Sequence, residues 1–384
     1  MSTAKRLDSI DAFRGFDMLF IMGFGSVITG LGWCLTEMLG GDADAFWKTS
    51  AFVLQFRHVE WTGLRFEDLI FPTFIFIAGI SFPFSYARQV ERGDSPGCIH
   101  LRLLRRMVVL VLLGIAYNGF FRLEFPARYG SVLGKIGVAG FLASFAYIHL
   151  GLKARVVACA GILALYLAVG GLFVAPDAPA GTLPYTPEGC FAGWVSRLLS
   201  VGRLQDGCFD NCGLVPTLGA VPTAMFGMFA GDLLRSSRLT GGRKTLLMFG
   251  GALMLFLAGL ALEPVCPVIK KLWTPTFACI SGACSLGAFA VFYWIVDVRG
   301  FRAWTYPLRV VGLNSITIYL LQKFIDVSSI ARNFVGVKSE ATNVGLCGLI
   351  SSLALAYLIS SVAYVTICWL VLCFLHRQKV YFKV

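Results

Sequence analysis

The stretch RHVEWTGLRFEDLIFPTFIFIAGISFPFSYA, residues 57–87, joins a polar segment directly to an apolar run. Its first part carries six titratable side chains, which are Arg57, His58, Glu60, Arg65, Glu67 and Asp68. Residues 69–87 contain no charged side chain. A helix needs roughly 17–25 apolar residues to cross a bilayer, and this run is long enough. The stretch therefore predicts a membrane-spanning helix with titratable groups at its mouth.

The same apolar pattern recurs along the whole chain. Of its 384 residues, 57% are hydrophobic and 14% are charged, whereas soluble domains carry about 25% charged residues. Because lipid cannot satisfy backbone polar groups and no barrel-like alternation is seen, the runs are expected to be helices. We predict an all-α, polytopic transmembrane bundle of ten or eleven spans that forms one domain over residues 1–384. The predicted spans are residues 14–35, 69–87, 104–121, 133–151, 155–175, 215–234, 245–263, 276–296, 307–325 and 348–374.

The distribution of Lys and Arg predicts the orientation of the bundle. With a cytoplasmic N-terminus, most basic residues fall in cytoplasmic segments, which places both termini in the cytoplasm. Topology and lipid headgroups then account for the net charge of +12, and no nucleic-acid partner is needed. No cleavable signal precedes the first span, which is expected to be retained. Two long outer segments are expected, at about 36–68 and 176–214. We find no internal repeat, so inverted-repeat transporter architecture gains no support.

Four cysteines fall on the predicted outer face, which would be oxidising. They are Cys190, Cys208, Cys212 and Cys266. The pair in CFDNC, residues 208–212, has no companion His or second cysteine pair, so no metal site is expected. A disulfide from Cys190 to Cys208 or Cys212 is expected instead, although spacing leaves the connectivity among the four open.

His58 is the only one of the four histidines that faces outward on this topology. Most histidines serve packing or solvation, but Glu60, Glu67 and Asp68 lie close enough in sequence to orient this ring. An imidazole can accept and return a proton near neutral pH, which suits catalysis. A structural interpretation also holds for Glu67 and Asp68, because acids in the first turn of a helix complement its dipole.

Polar residues also occur inside two other predicted spans. Asp11, Arg14 and Asp17 are spaced three apart in SIDAFRGFD, which indicates either an interfacial ion cluster or a functional site, since charge in a membrane helix is costly. Asn314 and Ser315 in YPLRVVGLNSITIYLLQ, residues 306–322, either bond to a neighbouring helix or line a cavity. A basic inner side, a few polar groups at depth and one outer His favour chemistry across the membrane over an ion pathway.

Several motifs resemble the heparan-α-glucosaminide N-acetyltransferase family of transmembrane acetyltransferases. They are IDAFRGFDM (10–18), HVEWTGLRFEDLIFPTFIFIAGISF (58–82), YGSVLGKIG (129–137), DNCGLVPTLGAVPTAMFGMFAG (210–231) and GLNSITIYLLQ (312–322), in the family's order. The resemblance implies transfer of acetyl from cytosolic acetyl-CoA to an amino sugar across the membrane. It implies that His58 is catalytic, and it suggests a homodimer.

The expected site follows from the resemblance and from charge. Asp68 joins His58 as a catalytic residue, Glu60 and Trp61 belong to the acceptor side, and Asn314 and Ser315 belong to the acetyl-CoA side. The phosphates of acetyl-CoA are expected to meet arginines, for which the candidates are Arg14, Arg105 and Arg106. Because the hydrocarbon core of about 30 Å is long for the pantetheine arm, the bundle should contain a cavity that brings the thioester partway to His58. His58 then either deprotonates the amine or carries the acetyl group itself.

The chain departs from the family pattern at some positions. MGFGS, residues 22–26, stands where members have an Asn, and Lys135 stands where an Arg is common. The short N-terminal segment without the luminal domain of lysosomal members predicts a bacterial inner-membrane protein with a periplasmic acceptor. The acceptor sugar itself stays open. Two alternatives remain, which are a membrane O-acyltransferase acting on polysaccharide hydroxyls and a carrier for a sugar or lipid.

Overall fold

The computed structural model describes residues 7–119, 128–199, 202–335 and 352–381. Over these ranges the chain is helical and forms no β-strand. The α-helices are α1 (Asp8–Ile21), α2 (Phe24–Met38), α3 (Ala43–Thr49), α4 (Ala51–Leu54), α5 (Phe66–Glu91), α6 (Pro96–Tyr117), α7 (Val132–His149), α8 (Leu152–Leu172), α9 (Phe191–Leu199), α10 (Leu214–Gly219), α11 (Val221–Arg235), α12 (Gly241–Leu262), α13 (Pro275–Tyr293), α14 (Tyr306–Leu313), α15 (Ser315–Phe324), α16 (Val327–Val335) and α17 (Leu353–Arg377). A π-turn at Trp294–Val298 follows α13, and a 3₁₀ turn at Ala303–Thr305 precedes α14.

Seven helical segments of the described chain are long and apolar enough to cross a membrane. They are α5, α7, α8, α12, α17, the pair α10–α11 and α13 with its π-turn. An eighth would consist of α1 and α2, which are bent by 62° at a break that contains Gly23. The predicted α-helical membrane class is therefore confirmed. The predicted count of ten or eleven spans is not confirmed. The helix α6 carries three arginines in its first half, and the ninth predicted span consists of two short helices, α14 and α15.

Small residues let the central helices approach one another closely. A Cβ atom on Gly227 of α11 would lie 2.0 Å from the carbonyl oxygen of Phe76 in α5, and one on Gly15 of α1 would lie 1.7 Å from the carbonyl oxygen of Leu308 in α14. Close approach through glycine is the usual way in which membrane helices gain packing contacts. In contrast, α8, α12 and α17 expose large apolar side chains, as helices facing lipid would, among them Leu165, Leu246 and Phe374.

The ninth predicted span is interrupted at its polar residues. α14 ends at Leu313 and α15 begins at Ser315, with Asn314 between them at φ −121° and ψ 31°. Asn314 is buried, and neither atom of its amide group has a hydrogen-bond partner in the described part of the chain. Irregular backbone at membrane depth is tolerated where it is enclosed by protein or lines a cavity. The break therefore marks a place where a cavity is expected.

Loop contacts fix the segment that carries His58. Gly63 donates its backbone N–H to the carbonyl oxygen of Val268 at 2.8 Å and adopts φ 118°, a conformation that glycine alone adopts readily. The Trp61 indole donates to the carbonyl oxygen of Tyr185 at 2.7 Å and packs edge-on against Phe209. The segment is thereby held between two other loops.

The expected disulfide in this region is wrong. Cys190 is a free cysteine, and its sulfur donates to the carbonyl oxygen of Pro187 at 3.5 Å and accepts from the N–H of Gly193 at 3.2 Å. Free cysteines also stand at positions 208, 212 and 266. The segment around residues 176–214 is instead held by ion pairs such as Arg197 with Asp177, at 2.6 Å.

Candidate active site

His58 and Asp68 form a hydrogen-bonded pair at the start of α5. The Nδ1 atom of His58 lies 2.9 Å from Oδ1 of Asp68. Asp68 is fully buried, and its Oδ2 atom accepts hydrogen bonds from the backbone N–H groups of Arg65 and Val59, at 3.2 and 3.3 Å. One carboxylate thus caps the helix and orients the imidazole, so both interpretations of Asp68 hold together. Folding of the first turn of α5 fixes the position of His58.

Lys270 completes this cluster, and sequence reasoning missed it. Its Nζ atom lies 3.1 Å from Oδ1 of Asp68 and 3.0 Å from Nδ1 of His58. Burial lowers the pKa of Lys270, while the charge of Asp68 opposes that change. The available signal was the pair Lys270–Lys271 on the predicted outer side, where basic residues are sparse.

A cavity of about 440 Å³ opens beside these three residues, and we name it the His58 cavity. Lys135 lies on its wall, 2% exposed, with Nζ donating to the carbonyl oxygen of Asn211 at 3.0 Å and lying 3.9 Å from the centre of the Trp273 ring. Arg128 also lines it and is paired with Asp210 at 2.9 Å. Other lining residues include Met18, Glu67, Phe71, Cys212, Lys271 and Tyr319. The volume suits a small ligand, and the wall carries four basic side chains, three of which are paired with carboxylates.

A second cavity, of about 470 Å³, carries arginines, and we name it the Arg106 cavity. It is lined by Arg14, Arg88 and Arg106, by the carboxylate of Asp11, which lies 3.9 Å from Arg14, and by serine and apolar side chains. The guanidinium of Arg14 donates to Oγ of Ser81 at 2.8 Å. Three guanidinium groups around one cavity make a suitable environment for phosphate groups.

The two cavities are neighbours inside the bundle. Five residues line both of them, which are Phe74, Leu133, Ile136, Ser315 and Ile316. Asp68 and Arg88 are 20 residues apart on α5, which corresponds to about 30 Å along a helix. The His58 cavity and the Arg106 cavity therefore lie toward opposite ends of the same span, and the five shared residues form an apolar boundary between them, here named the neck, that holds one hydroxyl group.

Two curated N-acetyltransferases are similar to this chain in sequence. No protein-family model matches the chain. It is 24% identical to human heparan-alpha-glucosaminide N-acetyltransferase, over 82% of this chain and 52% of the human protein. The mouse protein of the same name is also 24% identical, over 85% and 54%. The chain spans about half the length of the curated relatives that it matches.

The chain is a distant relative of the heparan-alpha-glucosaminide N-acetyltransferases. The resemblance predicted from the motifs is therefore confirmed. The apolar helices and this distant relationship together support an integral membrane protein that is related to N-acetyltransferases.

The structure brings together some of the residues that the motifs shared with these acetyltransferases had suggested. His58 and Asp68 lie in one cavity, Arg14 and Arg106 in the other, and Ser315 at the neck. The remaining candidates lie outside both linings. Arg105 and Glu60 are exposed, Trp61 anchors its loop, and Asn314 is buried next to Ser315. Arg88, which sequence reasoning did not single out, lines the Arg106 cavity instead of Arg105.

Within the described ranges, no group of three or more His, Cys, Asp or Glu side chains is placed to hold a metal ion.

Proposed function

We propose that this protein transfers the acetyl group of cytosolic acetyl-CoA to the amine of a glucosamine-type sugar on the opposite side of the membrane. One observation carries the proposal. A cavity lined by arginines and a cavity lined by a His–Asp pair lie toward opposite ends of one span and share five lining residues between those ends. The relationship to the N-acetyltransferases supports the same reaction class.

The Arg106 cavity would receive the donor from the cytosol. Arg14, Arg88 and Arg106 supply charge-assisted hydrogen bonds for its phosphate groups. The hydroxyl group of Ser315, which lines both cavities, would form a hydrogen bond with a polar group of the pantetheine arm. The three arginines and this hydroxyl group therefore fit acetyl-CoA.

The His58 cavity would receive the acceptor amine. Asp68 accepts from Nδ1 of His58, which leaves the lone pair on Nε2 available for reaction. In one route, Nε2 removes a proton from the amine as its nitrogen attacks the thioester carbonyl. In the other, Nε2 attacks first and carries the acetyl group to the amine. Both routes break the C–S bond, form a C–N bond and release CoA as the thiol.

Lys135 would assist either route electrostatically. Its ammonium group is buried in the cavity wall and has one carbonyl oxygen and aromatic faces around it. A cation in this position stabilises negative charge that develops on the carbonyl oxygen of the thioester. A bacterial inner membrane and a homodimer remain predictions.

The test is acetyl transfer by the purified protein, with labelled acetyl-CoA and a panel of amino sugars. We expect an acetylated amine, and we expect His58→Ala to abolish transfer while CoA still binds. His376→Ala is the matched control, because His376 lies at the end of α17, faces Tyr381 and lines neither cavity. Near-normal transfer by His58→Ala would refute the assignment.

Two further results would redirect the proposal. Acetylation of hydroxyl acceptors in place of amines would indicate an O-acyltransferase. Uptake of a labelled sugar or lipid into vesicles without consumption of acetyl-CoA would indicate a carrier.

A further inference from the structure

We propose that Lys270 is a positioning residue whose ammonium group disfavours a positive charge on the His58 ring, while Asp68 holds the ring in place. The inference rests on the proposed function only for the reaction of the ring, which is to take up a proton or an acetyl group. The geometry itself is independent of the substrate.

Three polar atoms form a nearly equilateral triangle. Nδ1 of His58 and Oδ1 of Asp68 are 2.9 Å apart, Nδ1 and Nζ of Lys270 are 3.0 Å apart, and Nζ and Oδ1 are 3.1 Å apart. The side chain of Lys270 is only 19% exposed, whereas that of His58 is 61% exposed. Lys270 is therefore the more buried of the two side chains, and much of the His58 ring stays accessible.

The hydrogen-bond capacity of Asp68 decides which nitrogen of His58 carries the hydrogen. A carboxylate offers about four acceptor positions. Two backbone N–H groups occupy those of Oδ2, and His58 and Lys270 converge on Oδ1. With Nδ1–H and Nζ–H both donated to Oδ1, the free lone pair of the neutral ring is on Nε2. This is the tautomer that can take a proton or an acetyl group.

Charge around the ring gives Lys270 this role. Two carboxylates, Asp68 and Glu67, lie next to His58 and favour a positively charged ring, which has no lone pair for chemistry. The Lys270 ammonium at 3.0 Å opposes a second positive charge on the ring.

Other charged groups of the cavity are less well placed to take over this role. Lys271 is paired with Asp206 at 3.0 Å, and Arg128 is paired with Asp210. The titratable and charged groups that surround Lys270 and His58 are Asp17 on α1, Glu67 and Asp68 on α5, Lys135 on α7, Cys212 before α10, and Arg65, Arg128 and Lys271 in the loops. Among the described residues, Lys270 is the cation in direct contact with the imidazole of His58.

The test measures the fraction of neutral His58 directly. Diethyl pyrocarbonate modifies neutral imidazole, and mass spectrometry of the peptide that contains His58 gives the extent of modification at each pH. The full-length protein would be compared with Lys270→Met, which keeps the length without the charge, and Lys270→Arg, which keeps the charge. Lys270→Gln repeats the neutral test if the Met variant does not fold. His376 in the same sample is the internal control.

We expect the midpoint of His58 modification to move up by about one to two pH units in Lys270→Met. It should stay near the wild-type value in Lys270→Arg, and His376 should be unchanged throughout. An unchanged or lowered midpoint in both neutral variants would overturn the inference. The acidic limb of kcat/KM for transfer should move in parallel.

The two proposals fail separately. If the wild-type protein transfers no acetyl group but the modification midpoint shifts, the function is wrong and the role of Lys270 stands. If transfer occurs and depends on His58 but the midpoint does not shift, the function stands and the role of Lys270 is wrong.

Discussion

Replacing Asp68 by Asn removes one charge and changes almost nothing in size. Asp68 accepts four hydrogen bonds, two on each oxygen. The amide nitrogen of Asn donates and cannot accept, so it cannot face either pair of donors. If it faces His58 and Lys270, the ring loses its orientation. If it faces Val59 and Arg65, the loop that carries His58 loses its anchor.

The size of the effect follows from these contacts. A hydrogen bond to a charged group contributes about 1.5–3 kcal/mol, so the loss of two weakens the productive geometry by about 3–6 kcal/mol. At about 1.4 kcal/mol per factor of ten, kcat should fall by about 10²- to 10⁴-fold. Binding of CoA should change little, because Asp68 does not line the Arg106 cavity.

The assay is steady-state acetyl transfer, with CoA binding measured by calorimetry on the same preparations. Asp42→Asn is the matched control, because Asp42 is an exposed N-cap of α3 and Asn caps a helix as well as Asp does. The reasoning would be refuted if Asp68→Asn kept kcat within about threefold of wild type, since that would mean that the carboxylate neither orients His58 nor anchors its loop.

Two further predictions use matched pairs. Arg106→Ala should raise the Kd for acetyl-CoA about 10- to 100-fold through loss of a charge-assisted contact, whereas Arg105→Ala, outside the cavity, should leave it unchanged; equal effects in calorimetry would contradict the proposed donor site. Gly227→Ala should lower the free energy of unfolding in mixed micelles by about 1–3 kcal/mol, because its Cβ would meet the carbonyl oxygen of Phe76. Gly250→Ala, with open space around it, should have no such effect, and equal stabilities would argue against this helix contact.

Part of the site could be predicted from the sequence because it depends on neighbours in the chain. His58 and Asp68 are ten residues apart and meet through the first turn of α5. Arg14 and Ser315 were recognised because polar groups in apolar segments are conspicuous, and both line the Arg106 cavity.

Other expectations needed information that the sequence pattern does not contain. The adjacent arginines Arg105 and Arg106 are equivalent by composition, but only Arg106 lines the Arg106 cavity, because neighbouring positions on a helix face different directions. The disulfide was expected only because the outer side of the membrane would be oxidising. A disulfide also requires the two sulfur atoms to meet with suitable geometry.

The sequence by itself determined that this is a helical membrane protein with its titratable groups at the mouth of a span. The bilayer requires each spanning segment to be long, apolar and hydrogen-bonded within itself. The length and apolarity of a run are therefore enough to predict a spanning helix. Only the tertiary structure decided that Lys270 contacts His58 across 212 positions of sequence and that the His58 and Arg106 cavities share Ser315 as a lining residue. Such contacts depend on which helix faces pack together, and glycines such as Gly227 and Gly15 set that packing through interactions far apart in the chain.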